Sequence, residues 1–157
     1  KEGVVPGSKD IQHRWMDRAG EEAVERFVSR GGRLFGWHSG LASYDPDGPI
    51  HAMYGGHFRG HPPQHEFELR PVAGQDGPCD IGEPYRMSDE LYRFSVQSDN
   101  ADIWLEGHSP EHGVHPVGWT RRHGEGTVIG FTPAHELANL LHPNAQSILR
   151  GIVTSRA

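Results

Sequence analysis

The feature that most restricts the fold is segment 34–40, LFGWHSG, an apolar run that ends in Gly36-Trp37-His38-Ser39-Gly40. The pattern Gly-x-nucleophile-x-Gly is typical of a sharp turn from a strand into a helix, which lifts the central side chain above the sheet edge. Here His38 stands where a serine or cysteine nucleophile would be expected. Amide groups at the start of the following helix would point at a bound group. A histidine in this position can act as a base or bind a metal, but it is a poor acyl-transfer nucleophile.

Composition and charge argue against several classes of protein. The 157 residues are enough for a core, and 34% hydrophobic residues with 21 Gly and 12 Pro indicate a loop-rich enzyme or binding domain. The net charge of −6, with scattered Lys and Arg, argues against nucleic-acid binding. No apolar run approaches the roughly 20 residues of a membrane span. The single cysteine, Cys79, favours a reducing compartment and therefore the cytoplasm.

Hydrophobic periodicity predicts an α/β order of elements. A helix is expected over 16–30, with Val24, Phe27 and Val28 on one face, and a buried strand over 33–37 follows it. Further strands are predicted over 66–72, 101–107, 117–123 and 127–132, an extended piece over 85–96, a short helix or tight loop over 49–55, a loop with a short helix over 133–143, and a last helix over 144–153. Loops are expected over residues 1–10, 59–64, 73–84 and 108–116.

Taken in order, these segments resemble the ThuA-like (trehalose utilisation) family. The resemblance is carried by GGRLFGWHSG (31–40), YGGHFRGHP (54–62), SDELYRF (88–94), PVGWTRRHGEGTVIGFTPAHE (116–136) and HPNAQSILRGIV (142–153). It implies an α/β fold, a flavodoxin-like three-layer sandwich related to the class I glutamine amidotransferases, formed by residues 1–157 as a single domain. Glutamine amidotransfer itself is disfavoured, because the turn at His38 has no thiol and Cys79 lies in a loop far from any base.

One departure from the family concerns the start of the chain. Family members usually begin with a further strand–helix–strand segment, and nothing ahead of the helix at 16–30 could supply it. Either the chain is a fragment of a longer protein, or the exposed edge of its sheet is covered by a partner, for example a second copy in a homo-oligomer.

The first candidate site pairs His38 with His135, which follows the strand at 127–132. In the amidotransferases that the fold resembles, the residue at the turn is paired with a histidine after a late strand. Both histidines would then meet where ligands collect in open α/β sheets. Glu90, next to Asp89, is expected to point inward as an acceptor, base or ligand. The alternatives are that His38 only caps a strand end and that the acidic pair forms a solvated turn.

A metal is the second hypothesis for this site. His57 and His61 lie four residues apart, and in a loop they could join His38 and His135 around a divalent cation such as Zn²⁺ or Mn²⁺. In the alternative, the neighbouring glycines and prolines shape a loop in which His57 and His61 make ordinary hydrogen bonds.

Four further residues are candidates for contact with a substrate. Ser39 is adjacent to His38, and Tyr92 follows the acidic pair. Trp119 and Arg121 share one face of the strand at 117–123, where an aromatic ring suits sugar C–H groups and a guanidinium suits an anionic or keto oxygen. A strand tryptophan is more often part of the core, so core packing is favoured for Trp119.

These observations predict a carbohydrate-metabolism protein that acts on a small-molecule sugar or keto-sugar at a histidine-lined pocket. The family name implies utilisation of trehalose or a related disaccharide. Two alternatives remain open: a non-catalytic sugar-binding or regulatory module, and a metal-dependent hydrolase with an unrelated substrate.

Overall fold

The structure, a computed structural model, describes residues 16–44 and 47–154. The predicted loop over residues 1–10 therefore lies outside the described part. The helices and strands are α1 (Arg18–Ser29), β1 (Arg33–Trp37), α2 (Pro49–Tyr54), β2 (Gly56–Phe58), β3 (His65–Pro71), β4 (Tyr85–Asp89), β5 (Phe94–Val96), β6 (Asp102–Ser109), β7 (Gly113–His123), β8 (Gly126–Phe131), α3 (Leu137–Leu140) and α4 (Pro143–Thr154). Short 3₁₀ helices span His38–Leu41 and Ser98–Asn100.

The predicted first helix is confirmed as α1, with both ends fixed by local chemistry. The Asp17 side chain accepts a hydrogen bond from the Gly20 amide and caps the N-terminus. Gly31 ends the helix with a φ of +101°, a conformation that glycine adopts without strain. Of the predicted apolar face, Val28 is buried but Phe27 is 57% exposed.

Within the described residues, the main sheet has six strands in the order β1-β8-β7-β6-β3-β4. β1 and β8 are parallel, whereas the other neighbouring strands are antiparallel. The polar segment 108–116, predicted as a loop, instead forms the closed end of the β6–β7 hairpin. It contains the last residues of β6, a turn between Ser109 and Gly113, and the first residues of β7. That prediction was wrong because both faces of this hairpin end are largely exposed, so its sequence lacks the apolar alternation of a half-buried strand.

The predicted extended piece over 85–96 is divided between two sheets. Its first half is β4 at the end of the main sheet, and its second half is β5, which pairs antiparallel with β2 in a two-stranded sheet. Residues 90–93 connect the two, so Glu90 and Tyr92 lie in a connection and not in a strand. Residues 59–64 are irregular, as Gly60, Pro62 and Pro63 predicted.

Hydrophobic cores cover both faces of the main sheet. On β8, Val128 belongs to one core and the next residue, Ile129, to the other, because side chains of a strand alternate between faces. Helix α4 contributes Ile148 and Ile152 to the core that contains Ile129. Helices α1 and α2 and the small sheet cover the opposite core. The result is a mixed α/β fold with a curled six-stranded sheet, consistent with the predicted flavodoxin-like fold.

The helices are all short. Within residues 16–44 and 47–154, none has the length and apolar character needed to cross a membrane.

Candidate functional site

The candidate site begins where β1 and β8 end. The strands run parallel and adjacent, with Trp37 opposite Phe131, so their following residues emerge at the same edge of the sheet. The backbone turns sharply after each of these two strands: His38 has a φ of 45° and Ala134 a φ of 73°. Non-glycine residues rarely adopt this left-handed conformation, which costs about 1–3 kcal/mol and is concentrated at functional sites.

His38 is held by two hydrogen bonds on opposite sides of its ring. Its Nδ1 lies 2.7 Å from the Thr132 carbonyl oxygen, which can only accept, so Nδ1 carries a proton. In the neutral ring, Nε2 is therefore an acceptor, and the Tyr92 hydroxyl lies 3.1 Å from it. The side chain is 8% exposed. Burial lowers the pKa of His38, against the opposing effect of the Thr132 hydrogen bond, so the neutral ring is favoured.

His135 lies beside His38, as the sequence predicted. Its Nδ1 is 2.7 Å from His38 Nε2, and the ring centroids are 4.7 Å apart. The side chain of His135 is 42% exposed, so it forms the accessible rim of the cluster. Proximity of the two histidines is thereby established, whereas a catalytic role for them stays a prediction.

Glu90 points into the same cluster. Its Oε2 lies 3.3 Å from His38 Nε2 and 3.8 Å from His135 Nδ1. Only 19% of its side chain is exposed. One atom from each of His38, Glu90 and His135 lies within 4.8 Å of the other two, an arrangement that can hold a metal ion.

Asp89 positions the cluster from below, a role that sequence reasoning missed. It is completely buried. Its Oδ2 accepts hydrogen bonds from the amides of Ala134 (2.7 Å) and His135 (3.2 Å), and its Oδ1 accepts one from the Glu90 amide (2.8 Å). The strained turn that carries His135 is thus fixed to the end of β4. No local sequence signal links Asp89 to the segment TPAHE, since the residues are far apart in the chain.

His61 and two aromatic rings form one wall. His61 Nε2 is 3.6 Å from Glu90 Oε2, while its Nδ1 lies 2.9 Å from the Pro62 carbonyl. Its ring stacks on Tyr92 at 5.5 Å, and Phe58 packs against Tyr92 at 4.5 Å. Burial raises the pKa of Tyr92 far above its usual value, so the hydroxyl keeps its proton and remains a donor.

His57 is not part of this cluster, although the sequence grouped it with His61. It lies on β2, and its Nδ1 is 3.3 Å from the Ser95 hydroxyl. It lines a cavity of about 360 Å³ together with Arg121. His57 is paired with Ser95 in the small sheet, whereas His61 lies in the irregular segment that follows, against Glu90 and Tyr92.

Two other predicted contact residues, Trp119 and Arg121, lie away from the cluster and against α2. Trp119 is fully buried in the core, and its indole N–H donates to the Tyr54 carbonyl at 3.0 Å. The favoured prediction of core packing is therefore confirmed, and the prediction that Trp119 contacts a substrate is wrong. Arg121 donates to the Ala52 carbonyl at 3.1 Å. Ser39 is exposed directly after His38. A second cavity, of about 330 Å³, is lined by residues of β3 and the β6–β7 hairpin, including Glu66 and Ser109.

Comparison with solved structures identifies the same fold in proteins of low sequence identity. A ThuA-like protein from Parabacteroides merdae superposes with a TM-score of 0.71 at 16% identity, covering 94% of this chain and 71% of that one. A cytoplasmic protein from Salmonella typhimurium has a TM-score of 0.60 at 10% identity, covering 84% of this chain and 56% of that one. The β-galactosidase of Rahnella sp. R3 has a TM-score of 0.60 at 15% identity. This chain is covered to 87% in that match but spans only 20% of the β-galactosidase.

Sequence comparison gives the family. No curated protein matches the chain. The family model described as trehalose utilisation matches residues 3–154, which is nearly the whole sequence. The chain therefore belongs to the ThuA (trehalose utilisation) family.

Proposed function

We propose that this protein is an enzyme acting on a sugar or keto-sugar of the trehalose type at the cluster of His38, Glu90 and His135. The observation that carries the proposal is the environment of His38 Nε2, a buried acceptor in contact with the Tyr92 hydroxyl and adjacent to a carboxylate and a second imidazole. Membership of the trehalose utilisation family supports a carbohydrate-related function.

Each residue of the cluster has a chemical role in this proposal. His38 is the general base, because burial keeps it neutral and Thr132 fixes its tautomer. His135, on the exposed rim, exchanges protons with the substrate, and Glu90 assists both histidines. The Tyr92 hydroxyl, which donates to His38 Nε2, accepts a hydrogen bond from a sugar hydroxyl. Ser39 contacts the substrate at the rim. We further propose that these residues line a pocket that encloses the bound sugar.

The proposal is tested by following sugar conversion. Purified protein is incubated with trehalose, and separately with trehalose carrying one ring ketone, and products are followed by NMR while binding is measured by calorimetry. Conversion is expected, and His38→Gln is expected to slow it by about 10²–10⁴-fold, the usual contribution of a general base. His115→Asn is the matched control, since His115 Nε2 contacts the His112 carbonyl within the β6–β7 hairpin.

The outcomes separate the proposal from its alternative. Sugar binding without conversion, unchanged in His38→Gln, would favour a non-catalytic sugar-binding or regulatory module. Conversion that is equally fast in His38→Gln and His115→Asn would contradict the assignment of this site.

Assembly and location complete the proposal. Among the described residues, β1 is the end strand of the six-stranded sheet, so we expect a second copy or a further segment of the chain to pair with its outer edge. The free thiol of Cys79 is compatible with a cytoplasmic location and with a single domain that needs no disulfide.

A further inference from the structure

We infer that His38, Glu90 and His135 form a zinc site with three protein ligands and an open coordination position. The inference rests on the site of the proposed function and deepens it by naming the cofactor. Because a lone pair bound to zinc cannot also accept a proton, His38 and His135 would act as metal ligands in place of the proton-transfer roles given above. It commits to ligand atoms: His38 Nε2, His135 Nδ1 and Glu90 Oε2.

The hydrogen bonding of His38 is that of a metal ligand. Metal-binding histidines typically donate their second ring N–H to a carboxylate, backbone carbonyl or water, which fixes the tautomer and directs the other lone pair at the ion. His38 donates from Nδ1 to the Thr132 carbonyl and directs Nε2 into the cluster. His135 is fixed through its backbone amide, which donates to the buried Asp89.

The distances fit a shared metal ion. Two neutral imidazole lone pairs at 2.7 Å repel each other unless a proton or a metal lies between them. The separations of 2.7, 3.3 and 3.8 Å between the three ligand atoms bracket the roughly 3.4 Å expected around tetrahedral zinc. The negative charge of Glu90 also favours a divalent ion at this point over a single proton.

The donor set selects the metal. Two imidazoles and one carboxylate match the His₂Glu set of catalytic zinc sites, in which the fourth position holds water or substrate. Sites rich in carboxylate and carbonyl oxygen suit Mg²⁺, Ca²⁺ or Mn²⁺ instead. His135 is the exposed ligand, so the open position faces solvent and could accept a water molecule or a sugar oxygen.

Zinc binding is measured directly and without sugar. Protein stripped with a chelator is titrated with Zn²⁺ in the presence of a competing chelator, and bound metal is quantified after dialysis by mass spectrometry. We expect one tightly bound ion per chain. His135→Asn and Glu90→Gln should each weaken binding by more than about 100-fold, since even partners of ligands account for 10–100-fold. His135→Asn is the variant of choice because an exposed side chain is replaced with little risk to folding.

Controls exclude binding by other histidines of this His-rich chain. His115→Asn should bind zinc like the unmodified protein, and circular dichroism melts should show that every variant is folded. Absence of tight zinc binding, or equal binding in His135→Asn and His115→Asn, would overturn the zinc site. Sugar conversion by metal-free protein would overturn the assignment of zinc as the cofactor of the reaction while leaving the proposed function intact. Tight zinc binding without sugar conversion would support the zinc site and contradict the proposed function.

Discussion

Replacing Gly36 by alanine tests how the turn that carries His38 is packed. A Cβ atom at Gly36 would lie 2.5 Å from Leu41 Cδ2 and 2.6 and 2.7 Å from Tyr54 Cε1 and Cζ. Carbon atoms in contact normally stay about 3.5–4.0 Å apart, so these neighbours must retreat by roughly 1 Å. Leu41 and Tyr54 are both fully buried and have no solvent into which they could move.

The cost of this substitution follows from two opposing effects. Inserting a methyl group into a well-packed core costs about 1–3 kcal/mol. Loss of glycine flexibility from the unfolded chain returns about 0.4–1 kcal/mol. We therefore expect Gly36→Ala to lower the free energy of unfolding by roughly 1 kcal/mol, within bounds of about 0 and 2.6 kcal/mol set by the two ranges.

Gly40 provides the matched control, because it is the second glycine of the same motif. A Cβ atom there meets nothing within 4 Å, and its φ lies outside the left-handed range. Gly40→Ala should be neutral or stabilising by up to about 1 kcal/mol. Urea denaturation followed by tryptophan fluorescence and by circular dichroism measures both variants. If Gly36→Ala were as stable as Gly40→Ala, the packing argument would be refuted.

Two further predictions concern Asp89 and Cys79. Asp89→Ala removes the acceptor of three amide hydrogen bonds at a fully buried position and should lower the free energy of unfolding by roughly 2–4 kcal/mol in urea denaturation. Asp102→Ala, at an exposed position, should change the free energy of unfolding little. An equal loss of stability in the two variants would contradict the buried role of Asp89. Burial raises the pKa of the Cys79 thiol, so less thiolate is present at a given pH in the folded protein than in the unfolded chain. Alkylation by iodoacetamide should therefore reach half its maximal rate at a higher pH in native protein than in urea, and an equal or lower midpoint would contradict this.

The pairing of His38 with His135 was predicted from the resemblance to the amidotransferases, and general rules of α/β sheets explain why the two residues meet. A buried run before each histidine predicts a strand, and carboxyl ends of adjacent parallel strands lie at the same edge. Glu90 was identified from its acidic–aromatic neighbourhood, but its place in a connection between β4 and β5 was not. A short connection of this kind can adopt several local conformations. The positions of the two sheets that it joins determine which one it adopts.

The errors arise where distant contacts determine the structure. Residues His57 and His61 share a spacing that would bring them together on a helix, but pairing of β2 with β5 places His57 in a strand. Trp119 and Arg121 do lie toward the same helix, α2, as alternation predicts. The Trp119 ring is inaccessible because it packs against Phe94 from a distant part of the chain, a contact that strand alternation does not reveal.

The left-handed backbone at His38 links the stability of the fold to the chemistry of the site. The Gly-x-nucleophile-x-Gly pattern predicted a sharp turn here. Neither Gly36 nor Gly40 has a positive φ, however, and His38 itself carries the strained conformation. Glycine at position 38 would adopt this φ without strain, so the imidazole is kept there against a conformational cost.

The strain at the two turns is maintained by the contacts that arrange the site. The hydrogen bond to Thr132 holds His38, and the Asp89 carboxylate holds the amides of Ala134 and His135. Bonds to a buried charged acceptor contribute about 1.5–3 kcal/mol each, enough to offset a strained residue of about 1–3 kcal/mol. Because the same contacts fix the two imidazoles at 2.7 Å, a cation placed between them would stabilise the turns that bring them together. Binding of zinc and stability of this edge of the sheet should therefore rise together.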